Sequence, residues 1–163
     1  MLEVPIYRQQ EAFCGPAVLR SVLAYYGVQK SQKEANGLCE TTFKAGTSER
    51  KLASAFRKLG FHTVSKEKGT WEILNEYINR KKIPVVVGWF SVSDSHYSVV
   101  AGLTKRHIWL IDPEHRTPRK LSWPRFNHLW FSPKFDYAKY PNDVLKHNKD
   151  VRLQWYLAAF PAK

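Results

Sequence analysis

Apolar residues recur every three to four positions through the first half of the chain, then give way to runs and alternations. Val18, Leu19, Val22, Leu23, Tyr25 and Tyr26 predict a helix over about 15–26. Pro16 suits its first turn, where a missing N–H costs nothing, and Gly27 suits its end. Residues 28–46 are polar and mixed, with one short helix expected from Lys33 to Leu38. Ser48 is placed to cap a second helix, with Glu49 in the first turn. Its apolar face is Leu52, Ala53, Ala55, Phe56 and Leu59, and Gly60 ends it. Phe61 to Val64 reads as a short strand. Thr70 caps a third helix built on Trp71, Leu74, Tyr77 and Ile78, with Arg80-Lys81-Lys82 at the end its dipole favours.

After this the period changes. Ile83 to Phe90 is a β-branched run, predicting a strand buried on both faces. A polar loop from Ser91 to Ser95 leads into a strand from His96 to Leu103. Thr104-Lys105-Arg106 turns the chain, and His107 to Asp112 returns until Pro113 ends it. Ser122 and Pro124 open a short helix carrying Phe126, Leu129 and Trp130. Residues 132–150 read as loop, and Val151 to Phe160 as a last strand. Helices first and antiparallel strands after give an α+β architecture, with N-terminal helices packed on a C-terminal antiparallel sheet. No repeat or linker divides the chain, so residues 1–163 are expected to form one domain.

Composition narrows the function classes. Apolar residues make up 44% and aromatics 14%, which describes a packed core and not a disordered chain. The net charge is +12, but the cations are spread over the whole length and no nucleic-acid module is recognisable. Solvated basic faces are the expectation, and nucleic acid is not the expected partner. The N-terminus lacks the regions of a secretory signal, and the longest apolar run, Ile83 to Phe90, is far too short to span a membrane. A cytoplasmic protein is expected. Two cysteines, Cys14 and Cys39, make neither a disulfide framework nor a metal-ligand spacing, so neither metal nor cofactor is expected.

Cys14 stands where the first helix begins, in Phe13-Cys14-Gly15-Pro16-Ala17. Unpaired N–H groups and the macrodipole at a helix N-terminus favour a thiolate there. An isolated cysteine is otherwise a small buried apolar residue, so the question is whether the chain supplies a base. Six histidines compete: His62, His96, His107, His115, His128 and His147. His96 opens a strand after a loop, and Asp112 ends the next strand sixteen residues later. A hairpin whose turn is centred on one residue would put these two even-numbered positions on one face. His107 lies at an odd separation from Asp112 on the same strand and would face away. Nucleophile, base and orienter are then Cys14, His96 and Asp112.

These pieces resemble the papain-clan cysteine peptidases of the bacteriocin-processing, double-glycine-leader type. The resemblance covers residues 4–131. It runs through Val4-Pro5, Gln9, Cys14-Gly15-Pro16-Ala17, Gly46-Thr47-Ser48, Ile83 to Val87, His96 to Gly102, Ile111-Asp112-Pro113 and Leu121-Ser122-Trp123. It implies a papain-like fold, catalysis by Cys14, His96 and Asp112, and an oxyanion-hole glutamine. That glutamine normally lies six residues before the cysteine, where this chain has Arg8. Gln9, five before, takes the role if the loop is one residue shorter, with Gln10 the other choice.

The implied reaction is thiol hydrolysis of a peptide or isopeptide amide in a peptide or protein substrate. Nothing in the sequence looks like an exporter's membrane or ATP-binding parts, so the resemblance does not imply leader removal during export. The same triad could instead serve acyl transfer or deamidation. A basic peptide- or nucleic-acid-binding module with little activity is the reading from a different class. The aromatics of the tail, Phe135, Tyr137, Tyr140, Trp155 and Tyr156, either cover the core or shape a substrate groove, and covering the core is the expectation.

Overall fold

The computed structural model describes residues 1–91, 94–133 and 151–162. The first periodic stretch forms α1 (Cys14–Tyr25), followed by α2 (Gln32–Cys39) and α3 (Glu49–Lys58). Hydroxyl caps start the latter two: Ser31 accepts from the Glu34 N–H in a capping box, and Ser48 from that of Lys51. β1 (Phe61–Lys66) precedes α4 (Trp71–Asn75), which Thr70 caps. The regular helix expected here widens into a π-helical turn over Glu76–Arg80, so that the Lys81 N–H reaches the Glu76 carbonyl at 2.9 Å.

The remaining elements are β2 (Val85–Ser91), β3 (Asp94–Leu103), β4 (His107–Ile111), β5 (Arg119–Ser122), α5 (Trp123–Leu129), β6 (Phe131–Pro133), β7 (Val151–Leu153) and β8 (Tyr156–Pro161). Six of the strands form an antiparallel sheet in the order β1-β8-β2-β3-β4-β5, while β6 and β7 pair separately. The expected last strand is therefore two. Gln154, at φ 45°, breaks it, and β8 inserts between β1 and β2. β5 and β6 were not foreseen, because they are short and their residues show no clear alternation. Trp155 and Tyr156 are buried, as expected of core-covering aromatics. Phe135, Tyr137, Tyr140, His147 and most of the expected 132–150 loop lie outside the described residues.

Both faces of the sheet are covered. One core joins Val18, Leu19, Val22, Leu23, Leu52 and Phe56 of α1 and α3 to Val86, Tyr97, Val99 and Leu157 of the sheet. The other joins Leu74, Ile78, Phe126 and Trp130 to Val85, Val87, Trp89, Val100 and Leu110. Burial on both sides is why β2 reads as a continuous apolar run. The mixture of helices and antiparallel sheet is the α+β class that the patterning predicts.

Two details of register place the site. Ser91 pairs with Asp94, so the expected polar loop is the end of a hairpin, and His96 is the third residue of its strand, not the first. The β3–β4 turn is not centred on one residue either: the Thr104 N–H donates to the His107 carbonyl at 2.8 Å, closing a two-residue turn. Continued unbroken, that register would set Asp112 opposite Val99, on the face away from His96. A β-bulge between Val100 and Gly102 corrects it, and beyond the bulge Val99 pairs with Ile111. Asp112, one residue further, thus returns to the face of His96. The Ala101 carbonyl at the bulge accepts the Leu2 N–H at 2.7 Å, so the N-terminal segment secures the device that aligns the two residues.

Candidate active site

Cys14 is the first residue of α1, half-buried at its N-terminus. Whereas α2, α3, α4 and α5 each begin at a Ser or Thr whose side chain accepts a backbone N–H, no side chain caps α1. Its N-terminal donors are left to whatever approaches the sulfur. The turn before it is tight: Phe13 N–H bonds the Gln10 carbonyl at 2.9 Å and Ala12 takes a left-handed φ of 65°. Behind Cys14, a Cβ on Gly15 would lie 2.3 Å from Thr47 Oγ1, so no other residue fits there without displacement. The Thr47 carbonyl accepts the buried Tyr97 hydroxyl at 2.9 Å. Three separated stretches of sequence, around Cys14, Thr47 and His96, thereby meet in one place.

His96 is 6% exposed and lies against Trp89, whose ring meets it edge-on with centroids 6.5 Å apart. Its Nε2 is 2.7 Å from Asp112 Oδ1. That bond engages Nε2 and leaves Nδ1, and Cys14 is among the groups that act on the imidazole to raise its pKa. Burial alone would favour the neutral ring. The hydrogen bond to Asp112 and the hydrogen bond and charge of Cys14 outweigh it, and the pKa of His96 rises to about 10. Asp112 is fully buried, which by itself favours the acid form. Bonds from His96, Arg119 and the Glu114 backbone N–H overcome that and hold its pKa down at about 2. The arrangement is therefore an imidazolium clamped to a carboxylate.

Cys39 is unlike Cys14. It is fully buried, and burial, then the charge of Cys14, pushes its thiol up to about 12, which makes it an inert core residue. His107 lies against Trp109, at the far end of β4 from Asp112. Gln9 is half-buried, and its backbone N–H donates to the carbonyl of Pro113, the residue after Asp112, at 3.1 Å. Its Oε1 is buried without a hydrogen-bond partner, whereas Gln10 is exposed. Among the described residues, one trio with metal-type donors lies together: His96, Asp112 and Glu114, with ligand atoms within 4.8 Å of one another. Asp112 is already engaged by His96 and Arg119, so the trio serves acid–base chemistry better than ligation. Sequence reasoning missed Arg119 and Trp89, which carry no local signal and reach the site only across strands.

Comparison with known proteins fits this geometry. The sequence pattern of the Peptidase C39 family matches residues 3–133. Over 120 residues, 71% of the chain, the protein is 31% identical to the lactococcin-G-processing and transport ATP-binding protein LagD of Lactococcus lactis subsp. lactis. The match spans 16% of that longer relative. The peptidase domain of Streptococcus ComA superimposes with a TM-score of 0.67 at 22% identity, covering 98% of both chains. A double glycine motif protease from an AMS/PCAT transporter, solved with its leader peptide, gives 0.68 at 18% identity over 99% of this chain and 94% of that one. A C39-like peptidase from Bacillus anthracis gives 0.70 at 15% identity, covering 100% and 97%. These structures share the fold, and the family match decides the class: this chain belongs to the Peptidase C39 family and is a cysteine peptidase.

Proposed function

We propose that the chain cleaves peptide amides at a double-glycine motif, using Cys14 as nucleophile, His96 as acid and base, Asp112 as orienter and Gln9 as oxyanion donor. The observation that carries the reading is the 2.7 Å bond between His96 Nε2 and Asp112 Oδ1 on an imidazole that also engages Cys14. Similarity to LagD and to the double-glycine protease supports the choice of substrate.

The chemistry follows from the positions. Cys14 Sγ attacks the scissile carbonyl carbon, and the Cys14 N–H at the uncapped helix end, with the Gln9 carboxamide, holds the oxyanion. The C–N bond breaks as His96 Nδ1 passes its proton to the leaving amine. Water then adds to the thioester, His96 takes its proton, and the C–S bond breaks to release the acid. No helix among the described residues is long and apolar enough to cross a membrane. A reducing compartment such as the cytoplasm suits two free thiols.

The test is cleavage of a synthetic peptide with a double-glycine motif, followed by mass spectrometry. Hydrolysis at the motif, its loss in Cys14→Ser, and resistance of a peptide with both glycines replaced are expected. Cleavage unaffected by Cys14→Ser would overturn the reading. Within it, Gln9→Ala should lower kcat by about 10²–10³-fold. Gln10→Ala should change kcat less than about threefold, since its side chain is exposed and the Gln10 carbonyl that holds the turn before Cys14 is backbone, which the substitution keeps. Equal losses in steady-state assays of the two variants would reassign the oxyanion donor.

A further inference from the structure

Arg119 sits in a basic stretch, Arg116 to Lys120, that reads in the sequence as ordinary surface. In the fold it is the first residue of β5, opposite Leu110, and its side chain is 22% exposed. Its Nη1 donates to Asp112 Oδ2 at 2.7 Å and to Ser91 Oγ at 3.2 Å. The guanidinium also lies 5.1 Å from the centroid of Trp89, the ring that abuts His96. Trp89 is fixed in turn, its Nε1 donating to Ser98 Oγ at 3.0 Å. Arg119 is thus held by three neighbours, of which Asp112 belongs to the proposed triad and Trp89 lies against His96.

The carboxylate of Asp112 has no freedom left. Oδ1 serves His96 and the Glu114 N–H (3.0 Å), and Oδ2 serves Arg119. A buried carboxylate bound at one oxygen could rotate and carry the imidazole with it, but one bound at both cannot. Charge points the same way. Once the Cys14 proton has passed to His96 in the proposed reaction, the sulfur and the carboxylate of Asp112 carry two negative charges, against which the imidazolium of His96 is one positive charge. Arg119 supplies the second and brings the buried cluster to neutrality. Among the described residues, Glu114 also faces His96, with Oε1 4.0 Å from Nδ1, and its half-exposed side chain is screened by water.

We propose that Arg119 is a positioning residue for the thiol chemistry: by binding the second oxygen of Asp112 and bracing against Trp89, it fixes the carboxylate and imidazole and balances the charge of the thiolate–imidazolium pair. The inference rests on the Cys14–His96–Asp112 reading and adds a fourth member to it. Charge and shape are separable. Lysine keeps the charge but loses the planar, stacking guanidinium, and methionine loses both.

The experiment is a pH titration of the His96 ring nitrogens by NMR on ¹⁵N-histidine-labelled protein. It compares wild type, Arg119→Met, Arg119→Lys and Cys14→Ser, with kcat, KM and Tm measured on each active form. Loss of a nearby positive charge favours the imidazolium, so Arg119→Met should raise the His96 midpoint by about one unit or more. The ring then gives up its proton less readily, and kcat should fall roughly tenfold, part of the hundredfold or more that proton transfer supplies, with KM little changed. Arg119→Lys should restore the midpoint but not the full kcat. A midpoint unmoved in Arg119→Met, or Met and Lys variants alike in midpoint and kcat, would overturn the proposal while leaving the triad standing. A wild-type His96 that titrates as free imidazole and ignores Cys14→Ser would overturn both.

Discussion

Replacing His96 with alanine should lower kcat for peptide cleavage by about 10³-fold or more, with the fold intact. General acid–base catalysis by a positioned side chain contributes about 10²–10⁴-fold, and this imidazole also stabilises the nucleophile as its counter-ion. The loss therefore belongs in the upper part of that range. Circular dichroism should show the fold retained, while Tm should fall by several degrees, because the buried partner of Asp112 is lost and Arg119 still holds that carboxylate. Since the imidazolium persists to about pH 10, the alkaline fall of kcat/KM in the wild type should lie well above the 6.5 of an ordinary histidine. Asp112→Asn removes the negative charge that raises it, so the alkaline limb should move down by about one to three units. Stopped assays across pH 5–11 (roughly the span in which these groups titrate) would read both effects. A variant lacking His96 that keeps most of its activity would leave the site without a base.

The largest effect on stability is expected from Asp112→Ala. The wild-type carboxylate is fully buried and neutralises two cations, His96 and Arg119, each at 2.7 Å. Deleting it strands both charges. Breaking a buried pair by removing one partner costs about 3–5 kcal/mol. For a chain of this length each kcal/mol lowers Tm by about 2–4 °C, so a fall on the order of 10 °C is expected by calorimetry. Deleting Arg119 as well should recover part of the loss, because its unpaired charge is then gone.

The pH dependence has a definite sign. Asp112 has a depressed pKa, so its contribution is complete above the ordinary carboxylate value of 3.8 and is lost as pH falls through about 2. His96 has a raised pKa, so its contribution is complete below 6.5 and is lost as pH rises through about 10. The stability gap between wild type and Asp112→Ala should therefore be widest between these limits, at about pH 4–6.5, and shrink on both sides. A gap of less than 1 kcal/mol (the worth of an exposed pair) at pH 5 would mean that Asp112 is solvated.

Much of this was legible in one dimension. Helical periodicity, hydroxyl caps and the change of pattern after Ile83 depend on neighbours within a few residues, and the chain obeys them nearly everywhere. Cys14 was legible because Gly-Pro after it marks a helix start. The path to His96 and Asp112 was only half right: their shared face was inferred from a one-residue turn, whereas the structure has a two-residue turn and a bulge. Two departures from the expected register cancel in their effect on side-chain direction, and the one local sign of a bulge at Ala101 is the glycine that follows it within the strand.

The sequence by itself determined the class of fold, the helix that begins at Cys14 and the candidates for thiol chemistry, since each is written in local spacing and residue type. Only the tertiary structure decided that β8 enters the middle of the sheet, that Thr47 closes on Gly15, and that Arg119 grips the far oxygen of Asp112. Those depend on which strands lie side by side and in what register. That choice is made by burial of apolar surface over the whole chain, and no short stretch of residues encodes it.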